Sequence, residues 1–234
     1  MMTSTVEDYL KQLVSLEIEQ GLELIPMKKV CTALGVTPGT ATTMIQRLDE
    51  KGLVEYQHHK GCRLTEEGRR SGRYTLRRHR LIELFLVNTL GMDWATVHEE
   101  AEMIEHTLSH EVVERLDHFL GHPEQGPHGG PIPDTQGILP CRGTTLSLAE
   151  IPGGGRVQIF SVKDRDEALL GYLASVGLLP GTRLEVASIS EGSGIMTLRH
   201  EEEPEREVVL AREVVRLSLE QASHIRVLHL SEDG

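Results

Sequence analysis

The spacing of apolar residues divides the first 65 positions into three helices and a hairpin. Intervals of three and four predict a first helix that ends at Gly21 and a short second helix from Met27 to Leu34. A third helix begins after Thr37, a cap residue that is followed by a first-turn proline. Two short strand-like runs, 53–56 and 62–65, come next. This order of elements predicts a winged helix-turn-helix.

Farther along the chain, helical spacing continues to residue 121 and then gives way to the alternation that is typical of strands. A long helix from about residue 66 to 90 precedes two shorter helices. A segment rich in Gly and Pro, 121–143, separates these helices from the rest. The alternating part contains one helix, 166–176, and it predicts a small β-barrel. The predicted strands are 156–162, 183–189, 195–199 and 207–210.

Charge is distributed unevenly along the 234 residues, whose formal net charge is −12. The first 80 residues hold 13 of the 24 basic and 10 of the 36 acidic side chains, so they carry +3 while the remainder carries −15. The N-terminal part can therefore approach the phosphates of a nucleic acid although the whole chain is acidic. A charge gradient that serves only solubility is the alternative interpretation.

Several other classes of protein are excluded by the same sequence. No apolar run approaches the 18 residues of a membrane helix, and the N-terminus lacks the basic and then apolar order of a secretory signal. Cys31, Cys62 and Cys141 form no CxxC pair, which argues against a disulfide framework or a cysteine zinc site. We therefore expect a cytoplasmic protein with no membrane partner.

Small residues at the start of the third helix are candidates for DNA contact. In a helix-turn-helix these positions meet base edges in the major groove, and threonine hydroxyls can bond to bases or phosphates. Basic residues later in that helix and at the hairpin tip suit the DNA backbone. A simple helix cap is the alternative, and the scarcity of bidentate side chains predicts indirect readout. The candidates are Thr37, Pro38, Gly39, Thr40, Thr43, Arg47 and Lys60.

Histidines and glutamates recur at helical spacing between residues 79 and 106. Two are four residues apart on the long helix, and four more follow on the next helix at i, i+4, i+7 and i+8. Converging imidazoles and carboxylates suit a divalent metal, whereas a solvated charged face is the alternative. No HExxH or GxSxG string is present, so we expect neither an enzyme nor a small-molecule substrate. The candidates are His79, Glu83, His98, Glu102, Glu105 and His106.

Taken together, the motifs resemble the diphtheria toxin repressor family of iron- and manganese-dependent regulators. The resemblance covers nearly the whole chain, and the part after residue 152 also resembles ferrous transport protein A. It implies a homodimer that binds double-stranded operator DNA when loaded with metal, usually as a repressor. The segments that carry it are VEDYL (6–10), VTPGTAT (36–42), LTEEG (64–68), RHRLIE (78–83), EMIEH (102–106) and PHGGPIP (127–133).

The resemblance implies two metal sites. The primary site takes one ligand from the first helix and three from the fifth, which correspond to Asp8, Glu102, Glu105 and His106. The second site corresponds to His79, Glu83 and His98, with His128 and Asp164 as further ligands. A metal held by all four primary ligands would clamp the DNA-binding domain to the helical domain.

The ligand types bear on which metal is bound. Iron-type members have Met and Cys where this chain has Asp8 and Glu102, so the carboxylates here resemble the manganese type and favour Mn(II). The longer manganese regulators have a cysteine where this chain has Gly126. The short two-domain manganese regulator has a glutamate where this chain has Lys11, so a binuclear site of that kind is not expected.

We therefore predict a mainly α chain with a small β-barrel. It contains a winged helix-turn-helix (1–72), a helical metal-binding and dimerisation domain (73–140), a linker (141–152), an SH3-like, FeoA-type barrel (153–222) and a C-terminal extension (223–234). The apolar stripe predicted for the dimer interface is Val112, Val113, Leu116, Phe119 and Leu120.

The function that this combination predicts is a Mn(II)-sensing regulator of metal-homeostasis genes. An Fe(II)-dependent repressor of iron-uptake genes is the alternative within the same class. A metal-storage protein or a metalloenzyme is the alternative from another class.

Overall fold

The computed structural model describes residues 2–140, 143–163, 166–190, 192–201 and 214–230. They form two units. The first unit comprises residues 2–82, 102–124 and 132–140, and the second comprises 83–101, 125–131 and the described residues from 143 to 230.

The N-terminal part of the first unit is a winged helix-turn-helix. Its helices are α1 (Ser4–Gln20), α2 (Met27–Leu34) and α3 (Pro38–Glu50), and its antiparallel wing is formed by β1 (Val54–Gln57) and β2 (Gly61–Leu64). Apolar residues from all five elements form one buried core, which fixes α3 against α1. They include Leu10, Leu13, Val30, Ile45, Leu48, Val54 and Leu64.

Three further helices follow the wing. The helix α4 (Glu66–Asn88) begins where the Thr65 hydroxyl accepts the amide of Gly68, while α5 (Val97–Glu105) and α6 (His110–Phe119) are shorter. The boundaries between the units fall within α4 and α5. The sequence predicts a fifth helix that is capped by Asp93 and ends near Leu108, but the Asp93 carboxylate accepts the amide of Ala95 and caps only a single turn there. Helix α5 therefore begins later than predicted.

Close packing of α1 on α4 depends on one glycine. A Cβ atom on Gly72 would lie 2.5 Å from the Leu10 carbonyl oxygen and 2.6 Å from a methyl group of Val14. Neither distance is sterically possible, so a larger residue at position 72 would push the two helices apart. This packing brings the next two turns of α4 close to the acidic end of α1.

The second unit contains a six-stranded antiparallel sheet. Its strands pair in the order β3-β8-β4-β5-β6-β7, and the helices α7 (Glu167–Ser175) and α8 (Leu219–Ser223) accompany it. Among the described residues the sheet is open, with β3 and β7 at its edges. The strands are β3 (Leu146–Ser147), β4 (Arg156–Val162), β5 (Arg183–Ser190), β6 (Ile195–His200), β7 (Val214–Ser218) and β8 (Ile225–His229).

Three of these strands lie where the alternation of apolar residues did not predict any. Strand β3 has only two residues, which is too short for a period, whereas β7 and β8 have five residues each with alternating burial that the sequence prediction missed. The predicted strand 207–210 and the candidate ligand Asp164 lie outside the described residues. Of the helices that the structure describes, none has the length and apolar character required to cross a membrane.

Candidate metal centre and nucleic-acid interface

Four of the candidate ligands converge within the first unit. Asp8 lies on α1, Glu102 and Glu105 lie on α5, and His106 directly follows the end of α5. One ligand atom from each lies within 4.8 Å of the other three. His106 Nε2 lies 2.8 Å from Asp8 Oδ1 and 3.2 Å from Glu105 Oε1. The chain thus places three carboxylates and one imidazole around a single point.

Local sequence explains why these side chains point inward. Asp8 lies one turn before the buried residues Lys11 and Gln12 of α1, and Glu105 lies one turn after the buried Ala101 on α5. Both carboxylates therefore share a helix face with buried residues. Helix α5 ends at Glu105, and the Thr107 amide donates to the Ile104 carbonyl in the turn that follows.

A second layer of polar groups surrounds this cluster. The Glu7 carboxylate bonds to His106 Nδ1 at 2.8 Å and also accepts a hydrogen bond from Arg78 of α4. Glu105 Oε2 lies 2.8 Å from Nδ1 of His79, also on α4. Such contacts orient ligating groups and fix which ring nitrogen faces a metal.

Lys11 is part of the cluster, although the sequence analysis did not predict a role for it there. Its ammonium donates to Glu102 Oε1 and to Glu105 Oε1, both at 2.7 Å, and its side chain is only 3% exposed. A lysine among the apolar positions Leu10, Leu13 and Val14 was the available signal. A cation on the buried face of a helix requires anionic partners.

Two carboxyl groups of the cluster have pKa values that are shifted in opposite directions. Burial raises the pKa of Asp8 above its ordinary value, and this effect exceeds the opposing attraction of His106 and Lys11. Burial also acts to raise the pKa of Glu105, but hydrogen bonds and charge from His79 and Lys11 outweigh it, so that pKa is lowered. Glu105 is therefore a stabilised anion although its side chain is 0% exposed.

The donor set fits a hard divalent ion. It contains three carboxylates, one imidazole and no sulfur, and oxygen-rich sets suit Mn(II), whereas thiolates and thioethers favour softer metals. The three carboxylates carry more negative charge than Lys11 alone neutralises, which also favours a divalent cation.

A second cluster lies in the second unit, around Glu83. Glu83 Oε1 lies 3.0 Å from Nδ1 of His98, and Glu83 Oε2 lies 3.9 Å from Nδ1 of His128. His79 lies one helical turn before Glu83 on α4, on the other side of the boundary between the units.

The tautomer of His128 follows from its neighbours. Its Nε2 donates to the Trp94 carbonyl at 2.8 Å, so in the neutral imidazole Nδ1 carries the lone pair. The side chain is 4% exposed and Nδ1 has no hydrogen-bond partner. A buried imidazole nitrogen that has no hydrogen-bond partner and lies 3.9 Å from a carboxylate oxygen is available to a metal ion.

The position of His128 is set by its attachment to β4. The Val162 amide donates to the His128 carbonyl, and the Trp94 indole donates to the Pro127 carbonyl. A Cβ atom on Gly129 would lie 2.0 Å from the Phe160 carbonyl oxygen, so glycine is required for this close approach. Around His128, the Gly- and Pro-rich segment is therefore held in place by hydrogen bonds to Trp94 and Val162.

The candidate DNA-contacting residues are all exposed. The hydroxyls of Thr37 and Thr40 lie 2.9 Å apart, and the Thr43 hydroxyl donates to the Gly39 carbonyl. These hydrogen bonds stabilise the first turn of α3. Arg47 lies farther along the same helix. Lys60 occupies the turn of the wing with two histidines that the sequence analysis did not single out, His58 and His59.

The apolar stripe predicted for the dimer interface is wrong at one position. Val113 is fully buried within the chain, because the face of α6 that carries it packs inward. Val112 and Phe119 are 41% and 65% exposed, and Met103 and Ile104 of α5 are exposed as well. Both α5 and α6 therefore contribute exposed apolar side chains to the surface of the first unit.

Three family models match the chain in order. Residues 1–62 match the N-terminal DNA-binding domain of the iron-dependent repressors, residues 65–134 match their metal-binding and dimerisation domain, and residues 146–228 match the FeoA domain.

Known proteins agree with these matches. The chain is 31% identical to the iron-dependent repressor IdeR of Mycobacterium tuberculosis over 206 residues, which is 83% of this chain and 88% of that protein. A solved manganese-dependent transcriptional repressor in complex with manganese has a TM-score of 0.84 and 33% identity, covering 96% of this chain and all of that one. The manganese regulator SloR has a TM-score of 0.76 and 31% identity, covering 98% of this chain and all of that one.

These findings confirm the resemblance that the motifs indicated and the order of a DNA-binding, a helical and a FeoA-type part. The chain belongs to the iron-dependent repressor family, the metal-dependent transcriptional repressors that include IdeR and the diphtheria toxin repressor.

Proposed function

We propose that this protein is a Mn(II)-responsive repressor that binds the operators of metal-homeostasis genes as a homodimer. The observation that carries the proposal is the convergence of Asp8 with Glu102, Glu105 and His106, because this donor set is rich in oxygen and contains no sulfur. Members of the family respond to either manganese or iron. The oxygen-rich donor set is our reason for choosing manganese. Fe(II) as the effector is the alternative.

The proposed mechanism follows from the elements that carry the four ligands. Asp8 lies on α1, which shares a core with the recognition helix α3, whereas the other three ligands lie at the end of α5. When bound, a divalent ion supplies the positive charge that lets these donors converge. Asp8 then fixes α1, and with it α3, relative to the dimerisation helices. A ligand that favours one arrangement shifts the population towards it, with coupling of about 1–3 kcal/mol in typical cases.

For contact with DNA we propose the first turn of α3 and the tip of the wing. Thr37, Thr40 and Thr43 would meet base edges, and Arg47 and Lys60 would meet phosphates. The exposed apolar side chains of α5 and α6 would form a symmetric interface between two copies, which suits a two-fold symmetric operator.

A second metal site is proposed around Glu83. His98 and His128 face this carboxylate, and His79 precedes it by one turn on the same helix. The unpartnered Nδ1 of His128 supports its inclusion. Asp164, suggested by the resemblance, remains a proposal from sequence.

To test the proposed function, DNA is selected from a random pool with the Mn(II)-loaded protein, and the affinity of the protein for the selected sequence is then measured. Mn(II), Fe(II), Zn(II) and a chelator are compared at matched occupancy. We expect strong binding with Mn(II), weaker binding with Fe(II) and loss of binding with the chelator. Equal activation by both metals would overturn the choice of Mn(II). Enrichment of no sequence would favour a storage protein or a metalloenzyme.

A further inference from the structure

Lys11 takes up a central position among the ligands of the primary site. Its ammonium donates hydrogen bonds of 2.7 Å to one oxygen of Glu102 and one oxygen of Glu105. Both contacts reach from α1 to α5, across 91 and 94 residues of sequence. The lysine therefore links α1 to α5. A metal bound by Asp8 and the α5 ligands would link the same two helices.

The oxygen of Glu105 that Lys11 contacts is the one that faces the other ligands. Oε2 of Glu105 is bonded to His79, whereas Oε1 lies 3.2 Å from His106 Nε2 and 2.7 Å from Lys11 Nζ. The ammonium thus approaches the oxygen that is oriented for coordination. Glu105 is fully buried, so a cation next to that oxygen offsets a large desolvation penalty.

An ammonium and a divalent ion compete for this oxygen. An ion bound to Oε1 at about 2.1 Å would lie within roughly 5 Å of Nζ if Lys11 kept its present 2.7 Å contact. Two positive charges that close together repel each other strongly where solvent is largely excluded. Either Lys11 moves away when the ion arrives, or the ion binds weakly.

We propose that Lys11 is a built-in competitor of the activating metal and sets the metal concentration at which the protein responds. The inference rests on the proposed function, because it assumes that the primary site binds Mn(II). In this arrangement the Lys11 ammonium and the metal are alternative counter-ions for Glu102 and Glu105. The lysine stabilises the buried carboxylate of Glu105 and the half-buried carboxylate of Glu102, and it raises the metal concentration required for half-occupancy.

Two effects of replacing Lys11 follow, and they have opposite directions. Lys11→Met keeps the apolar stem but removes the charge, so Mn(II) should bind about tenfold more tightly or better. The same variant should unfold at a lower temperature in chelator, because the carboxylates lose their counter-ion. Lys11→Arg keeps the charge and should bind Mn(II) no more tightly than the wild type.

The test is a direct Mn(II) titration of the full-length protein by calorimetry, together with thermal unfolding in chelator and in excess Mn(II). Lys28→Met is the matched control, since Lys28 is exposed on α2 and away from the cluster. Lys11→Gln is the second neutral variant, for use if Lys11→Met does not fold in chelator.

Tighter binding by the neutral variants, with Lys11→Arg and Lys28→Met at or above the wild-type dissociation constant, supports the proposal. Unchanged or weaker Mn(II) binding by both Lys11→Met and Lys11→Gln overturns the proposal. The lysine would then have no effect on metal affinity, or would increase it. If the wild type and every variant bind no Mn(II), the proposed function itself fails.

Discussion

Glu7 holds the imidazole of His106 by its Nδ1, at 2.8 Å, and leaves Nε2 as the ring nitrogen that faces Asp8. Glu7 also accepts a hydrogen bond from Arg78, so it joins α4 to a ligand that follows α5. A carboxylate in this position fixes the orientation of a ligating histidine and increases its basicity.

The first prediction concerns this support. Glu7→Ala should weaken Mn(II) binding by about 10–100-fold, as is typical when an outer partner of a ligating histidine is removed. Glu7→Gln keeps a hydrogen-bond acceptor and should lose less Mn(II) affinity than Glu7→Ala. Calorimetric titration measures the loss, and Glu23→Ala is an exposed control. Wild-type affinity in Glu7→Ala would show that the ring needs no such support.

The second prediction concerns His128. Replacing this buried residue with Ala should lower the number of Mn(II) ions bound per chain, because the cluster around Glu83 loses a ligand while the primary site stays intact. Metal content after dialysis measures the stoichiometry, and His229→Ala is the exposed control. An unchanged metal content would remove His128 from the proposed second site.

The third prediction separates two kinds of DNA contact. Lys60→Ala should weaken binding to all sequences and lower the slope of log affinity against log salt by about one unit. Thr40→Ala should mainly reduce discrimination between the selected and random DNA. Because the Thr40 hydroxyl also lies 2.9 Å from that of Thr37, helix content must be checked by circular dichroism. Equal losses on both DNAs for Thr40→Ala would contradict its assignment to base readout.

The fourth prediction compares a buried and an exposed position of α6. Val113→Ala should lower the free energy of unfolding by on the order of 2 kcal/mol and leave the dimer intact, because Val113 is buried within the chain. Phe119→Asp should dissociate the dimer and leave the fold intact, because Phe119 is exposed. Denaturant unfolding and sedimentation velocity separate the two effects. A wild-type dimer in Phe119→Asp would place the interface elsewhere.

Local signals account for the parts of the fold that the sequence predicts well. Amphipathic spacing gives the helices of the winged domain, and the caps at Thr37 and Thr65 give the start of α3 and α4. The start of α5 was placed too early because Asp93 caps an isolated turn, and the continuous helix begins only at Val97. Strand β3 was missed because two residues carry no period.

For the metal site, too, local spacing predicts some of the residues, whereas others depend on contacts between distant parts of the chain. Helical spacing alone brings His79, Glu83 and the α5 residues into consideration, whereas Asp8 was identified only through the family resemblance. The roles of Lys11 and Glu7 could not be predicted from spacing, because their partners lie more than 70 residues away. Burial of Val113 was missed because the apolar stripe of α6 covers both an inward and an outward face.

The central claim is that Asp8 transmits the metal signal from the end of α5 to the recognition helix. The most direct measurement is the affinity for selected DNA of wild type and Asp8→Ala, in chelator and at Mn(II) concentrations that saturate each protein by calorimetry. We predict a rise of about 5–150-fold with Mn(II) for the wild type and no rise for Asp8→Ala, although its three other ligands still bind the ion. A wild-type rise in Mn(II)-saturated Asp8→Ala would contradict the account.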